Sequence, residues 1–261
     1  TVMDSLPECE EEALPRFAAS LVQFFGLVGL ALSLGACTKL MSWGLSQLNT
    51  VPWLETLVSI PVGYLIFTTS FTSIAVLAKH ILVGKLRPGR YPLYGRTHLR
   101  WWLGNLFLRF GQQTVWAPFS ETLLGPWLLN SLGGNIGSGA TTPIGGSTPG
   151  FSLIDADLLK VGNGAYVRNR GRVRAHMFVD GYLILAPTTL GNQSAVWSRS
   201  IVEPGATLEA GALLDTHAVL SMGHQVSENK VARGIPAVAT DPTDGTIRVS
   251  ATERLTHLVS A

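Results

Sequence analysis

Two patterns of apolar positions divide the chain. The first is long and unbroken. Residues 17–38, FAASLVQFFGLVGLALSLGACT, hold no charge between Arg16 and Lys39, and residues 56–78, TLVSIPVGYLIFTTSFTSIAVLA, hold none at all. As helices rising 1.5 Å per residue, both runs are long enough to cross a hydrocarbon core of ~30 Å. They predict a hairpin of two membrane-spanning helices over residues 17–80. Its Ser, Thr and Gly residues suit close helix–helix contact, and Pro61 should kink the second span. The competing reading is a pair of helices buried in a large soluble core.

The second pattern is periodic. Leu190, Val196, Val202, Leu208 and Leu214 stand six residues apart; Ile184 precedes them in the same phase, and Leu220 and Val226 follow. Val161, Val167 and Val173 repeat the interval one residue out of phase, which places a loop or bulge between Val173 and Ile184. A helix repeats its apolar face every three or four residues and a strand every second, so neither explains a period of six. A hexapeptide period marks a parallel β-helix, each unit forming one flat side of a three-sided turn with its aliphatic residue pointing inward. Gly191, Ala195, Gly205, Ala206 and Gly211 suit the tight corners. Three to five turns are expected between Ile136 and Val226. The predicted fold is a mainly β soluble domain, a left-handed parallel β-helix of hexapeptide repeats, preceded by two transmembrane α-helices. The expected divisions are an acidic linker (1–16), the helical hairpin (17–80), a membrane-proximal amphipathic linker (81–130), the β-helix (131–240) and a C-terminal tail (241–261).

Charge orients this arrangement. Between the spans lies only Lys39, whereas Lys79, Lys85, Arg87, Arg90, Arg96 and Arg100 follow the second one. The positive-inside rule puts that flank, and with it the β-helix, on the cytoplasmic side of a multi-pass membrane protein. Residues 84–110 mix Arg with Tyr and Trp, which suits the headgroup layer or a linker helix packed on the soluble domain. The whole chain of 261 residues is oily, 46% apolar and 14% charged, and its net charge of +2 gives no ground for nucleic-acid binding. With only Cys9 and Cys37, a disulfide framework is not expected and a reducing compartment is. The chain opens on Thr1 and acidic residues, which is no signal peptide and reads as a piece of a longer polypeptide. The glycine-rich residues 131–150 lack the lysine and following helix of a phosphate-cradling loop.

Histidine is the usual base for acyl transfer, because its pKa lies near neutrality. Of His80, His98, His176, His217, His224 and His257, His176 stands where the six-residue period fails, the place where loops and sites tend to be put. It is the candidate base. Asp180, Asp157 and Asp155 are candidates to orient it or to bind an amino group. Arg168, Arg170, Arg172 and Arg174 put four guanidinium groups on seven residues, a dock for a phosphate or an acidic partner, or else a solvated face. No metal ligand set is expected, although His176, His217 and His224 raise a zinc-dependent lyase as a weaker alternative.

The motifs RPGRYPLYGRTHLRWWL, QTVWAP, LGGNIG, DADLLKVGNGAYV, AHMFVDGYLILAPTTLGNQSAV and RGIPAV occur in that order from about Pro88 to Val238. In that order, behind an apolar helix pair, they resemble the C-terminal region of ε-poly-lysine synthetase-type non-ribosomal peptide synthetases and their relatives. The resemblance implies an adenylation and a thiolation domain upstream, then membrane helices and tandem hexapeptide domains that form amide bonds between amino acids. It also sets His176 on a histidine-bearing motif. This chain would be one helix pair with one hexapeptide domain of the acyltransferase superfamily. No cofactor would be bound by the chain itself; phosphopantetheine would sit on a partner carrier (thiolation) domain. The other expected partners are sister hexapeptide domains or a homotrimer, and the lipid bilayer. The rival reading from another class is a non-catalytic scaffold that assembles with sister domains.

Overall fold

A computed structural model describes residues 6–48, 52–145, 149–168 and 170–241; the expected tail beyond Asp241, with His257, lies outside the described residues. The first apolar run folds as α1 (Arg16–Ser46) and the second as α2 (Pro52–Ala78), continued by a π-helical turn over Lys79–Val83. Both are long and apolar enough to cross a membrane, and only 17% of the most apolar stretch of each is buried. Several of their hydroxyls bond within the helix, as Ser33 Oγ on Gly29 O (2.8 Å), Thr38 Oγ1 on Leu34 O (2.9 Å) and Ser70 Oγ on Ile66 O (2.6 Å). A polar side chain that bonds its own helix needs no water, so it does not break the apolar surface. Glycines set the closeness of the pair: a Cβ on Gly44 would meet Ile66 Cδ1 at 2.6 Å, and one on Gly63 would meet Leu45 Cδ1 at 3.3 Å. Lys39 belongs to α1 itself, not to the connection. Pro61 lies inside α2.

The linker over residues 81–130 is a packed layer. It contains a strand, Gly89–Pro92, then α3 (Arg96–Phe110) and α4 (Leu124–Ser131). The inward face of α3 buries His98, Leu99, Trp101, Gly104, Phe107 and Leu108. Gly104 admits Val83 and Ile154 so closely that a Cβ there would lie 2.4 and 2.7 Å from them. Gly26 of α1 likewise admits Leu103 of α3, 2.5 Å from a built Cβ. Residues 84–110 therefore join the hairpin to the β domain, with α3 packed as a linker helix. The fold is accordingly mixed helix and sheet, with apolar helices at its N-terminal side, instead of mainly β.

Beyond Asn135 the short strands form parallel ladders. Val196 pairs opposite Leu214, Val202 opposite Leu220 and Leu208 opposite Val226, each eighteen residues on. The chain visits three ladders in turn and returns to each after three six-residue units. The longest runs through Ile136, Val161, Leu190, Leu208 and Val226. These inward residues are 0–8% exposed. Three residues after each lies a corner with positive φ: Gly139, Gly164, Arg170, Gln193, Arg199, Gly205, Gly211, His217, Gly223 and Asn229. As far as Ala218 the position one residue further is small and buried, as at Ala165, Ser194, Ser200, Ala206 and Ala212. Five of the ten corners are glycine, which adopts positive φ at no steric cost; Arg170, Gln193, Arg199, His217 and Asn229 hold the others.

Ile184 is a correction. It lies in an antiparallel hairpin, His176–Val179 with Tyr182–Leu185, whose second strand also pairs with Gly89–Pro92. The regular register thus starts at Leu190. Val173 faces Val202 twenty-nine residues on instead of eighteen, so the hairpin is an insertion of eleven residues into one turn.

Candidate active site

The break in the period carries His176. It is the first residue of the inserted hairpin, where Ala186 N donates to Ala175 O (3.0 Å) and closes the neck. Its Nδ1 is hydrogen-bonded to Asp155 Oδ2. Asp155 is fully buried, and its other oxygen accepts from Trp101 Nε1 at 2.7 Å. A carboxylate on Nδ1 requires that nitrogen to carry the proton, which leaves the Nε2 lone pair outward. Nε2 bonds to none of the described residues, and the side chain keeps 19% of its surface exposed. A buried acceptor thus fixes both the ring orientation and the tautomer of a partly exposed imidazole. This is the arrangement a general base needs.

Aromatic rings wall the imidazole. Trp101 stands edge-on at 4.8 Å between centroids, Phe178 at 5.9 Å, and Phe178 in turn meets Trp101 at 5.6 Å and His98 at 6.0 Å. His98 is buried and accepts from Tyr94 N through Nδ1 (3.1 Å). Burial pushes its pKa below the usual 6.5, so it serves the wall as a neutral ring.

The other sequence candidates are dispersed. Asp180 is exposed at the far end of the hairpin with φ 49°, followed by Gly181 at φ 80°, an Asp-Gly turn of the kind tight hairpins favour. It lies four positions along the strand from His176, roughly 13 Å at the rise of extended chain. The partner expected there is supplied by Asp155 instead, one turn of chain away. Asp157 sits two residues from Asp155, across the 3-10 turn Ala156–Leu158, and faces elsewhere. Its Oδ2 takes Lys79 Nζ at 2.6 Å and Leu86 N at 3.0 Å. Both side chains of that ion pair are buried, at 1% and 5% exposure. Lys79 is therefore a structural cation, not part of an exposed basic flank.

The four arginines fall on two sides of a corner. Arg168 is exposed, with its guanidinium 5.0 Å from the Trp197 ring, and Arg170 occupies the corner at φ 66°. Arg172 and Arg174 flank inward Val173 and share the next outward face. Burial, and then the charge of Arg172, lower the pKa of Arg174, opposed by Glu203. His217 Nε2 lies 3.5 Å from Arg199 Nη1, and His224 Nδ1 lies 3.2 Å from Met222 O. Among the described residues no three His, Cys, Asp or Glu side chains converge as a metal would need. Sequence reasoning did not find Trp101 or Lys79. The Trp pair in RWWLG was the available signal for the first, and nothing marked the second.

No described protein family matches the chain. A delta-poly-L-ornithine synthetase from Acinetobacter baumannii (strain AB307-0294) is 26% identical over 164 residues, 63% of this chain and 12% of that protein. The chain thus spans a small part of the relative it matches. Among solved structures, a hexapeptide-repeat acetyltransferase from Vibrio cholerae is 11% identical with a TM-score of 0.35, covering 66% of this chain and 90% of the other. A hexapeptide transferase family protein from Anaplasma phagocytophilum is 18% identical with a TM-score of 0.26, covering 47% and 72%. The resemblance carried by the motifs is met in a curated protein: the chain is similar to part of a poly-amino-acid synthetase, a relative of the ε-poly-lysine synthetase-type non-ribosomal peptide synthetases.

Proposed function

We propose that the chain is an acyltransferase module of a non-ribosomal synthetase, in which the parallel ladders form a left-handed β-helix and His176 is the base. The reading rests on one observation: buried Asp155 holds Nδ1 of a partly exposed imidazole whose Nε2 has no partner among the described residues. In the proposed reaction an amine attacks the carbonyl of an aminoacyl or peptidyl thioester held on a carrier domain. The new C–N bond forms as the C–S bond breaks. The proton of the attacking nitrogen passes to His176 Nε2 and from there to the departing thiolate, while Asp155 stabilises the imidazolium between the two transfers. Trp101 serves as a positioning residue, since its indole N–H holds Asp155 in place.

The phosphopantetheine arm belongs to the carrier and acts as donor. Arg172 and Arg174, four and two residues before His176, are the proposed contacts for its phosphate, with Arg168 and Arg170 extending the basic surface to the carrier. Sister hexapeptide domains or identical chains would complete the cleft. The hairpin spans the bilayer in this reading and keeps the coil on the cytoplasmic side. Lys85, Arg87, Arg96 and Arg100 remain as the basic flank once Lys79 is paired and Lys39 lies within α1.

The test is His176→Ala in the full-length synthetase. Product should be lost, by on the order of 100-fold or more for removal of a general base. Amino-acid-dependent exchange of pyrophosphate into ATP should persist. Product of unchanged length and yield sinks the assignment and leaves the non-catalytic scaffold.

A further inference from the structure

Where α2 ends against the coil there is a groove of about 420 Å³, lined by Lys85, Arg87, Pro88, Lys160 and Pro187, with Leu86, Leu158 and Asp157 completing it. Its charge is unbalanced. The one carboxylate in it, Asp157, is already taken by Lys79 and by the backbone N–H of Leu86. Lys85, Arg87 and Lys160 are exposed, and none of them forms an ion pair with a described carboxylate. Three cations therefore surround a concavity whose remaining walls are Leu and Pro. Cations that converge on a concave site without a counter-charge favour an anion with several acceptor oxygens.

The position of the groove narrows the class of anion. Lys85 and Arg87 come just after Ile81 and Leu82, apolar side chains 71% and 36% exposed at the end of the hairpin. Arg100 Nε donates to Leu82 O (2.7 Å), so a further cation lies beside these exposed apolar residues. Lys160 comes from the coil, so the two parts of the molecule contribute jointly. The groove does not present the candidate base: the carboxylate that serves His176 belongs to Asp155, held by Trp101, and Asp157 is held the other way by Lys79. A phosphate in the groove, with acyl chains lying along Ile81 and Leu82 outside it, matches both the three cations and the exposed apolar residues that precede them.

We infer that this groove binds the phosphate of an anionic phospholipid, with Lys85, Arg87 and Lys160 as its ligands. The inference rests on the membrane reading above. In it, Lys160 ties the coil to the headgroup layer, and the lipid fixes how the β domain sits over the bilayer.

The full chain in detergent micelles is titrated with short-chain phosphatidylglycerol, phosphatidylcholine and free 4′-phosphopantetheine. Wild type should prefer phosphatidylglycerol. Lys85→Gln/Arg87→Gln/Lys160→Gln should weaken that binding on the order of 100-fold, and Lys160→Gln alone about fivefold. Circular dichroism confirms that the variants are folded. Unchanged affinity in Lys160→Gln overturns the inference, because general attraction to a basic flank does not need the coil residue. Lysine-dependent binding of phosphopantetheine without phosphatidylglycerol binding also overturns it, and assigns the groove to a carrier arm. Insertion of wild type and triple variant alike into neutral phosphatidylcholine vesicles tests the membrane reading separately. If neither inserts, that reading fails while the micelle titration still reports on the groove.

Discussion

The hairpin and the coil are both written in aliphatic residues, yet they place them oppositely. In the coil Val202, Leu208 and Leu214 are 0% exposed, whereas in the hairpin Phe17 is 75% exposed, Ile60 73% and Leu32 69%. The coil builds its own apolar interior from a period that stacks one side chain on the next. The hairpin has no such period and leaves its apolar side chains for another medium to cover. Hydropathy alone does not separate the two; spacing does. Between them stands the turn 155–157, whose two carboxylates reach in different directions.

The largest effect is expected where the two regions are joined. Asp157→Asn leaves Lys79, 1% exposed, without its counter-charge, and should cost about 3–5 kcal/mol of stability. Thermal unfolding in detergent measures it, and a loss below about 1 kcal/mol would mean that the junction is not built on this pair. Next comes the contrast itself. Leu208→Ala should destabilise the coil by about 2–5 kcal/mol, while Leu32→Ala should leave the coil's unfolding midpoint unchanged. Equal shifts from both would erase the distinction between stacked and solvent-facing apolar residues. The smallest effect concerns His98. Its native pKa lies below the ordinary 6.5, so the unfolded chain takes up the proton first. Its contribution is whole above pH 6.5 and is lost as pH falls through the lowered native value. His98→Gln should therefore flatten the fall in stability on acidification, as urea titrations at pH 7.5 and 5.5 would reveal. A slope identical to wild type counts against a buried neutral ring.

The repeat could be read from Leu190 to Val226 because each rung imposes the same demand, an aliphatic residue and a left-handed corner three positions later, followed as far as Ala218 by a small residue. Ile184 satisfied the spacing by coincidence, since a strand of the inserted hairpin also buries an aliphatic residue. The break at His176 was visible as a failure of period. Asp155 stood among three candidate partners, but the sequence did not single it out, because Asp180 is near in sequence while Asp155 is near only once the chain has come round the coil. Trp101 reaches the site from a helix that shares no repeat with it. The packing over 81–130 was open to two readings for a related reason. Its arginines and aromatics look interfacial one at a time, and only the close approaches at Gly26 and Gly104 show that α3 is an internal wall.

The eleven-residue insertion has an engineering consequence. Removing eleven residues between Val173 and Leu190 would restore the six-residue step from one to the other, so successive rungs could close without the hairpin. The imidazole therefore rides on a detachable cassette. Under the proposed function, a chain that keeps the stacked rungs and lacks the imidazole is one deletion away, at the cost of the pairing with Gly89–Pro92.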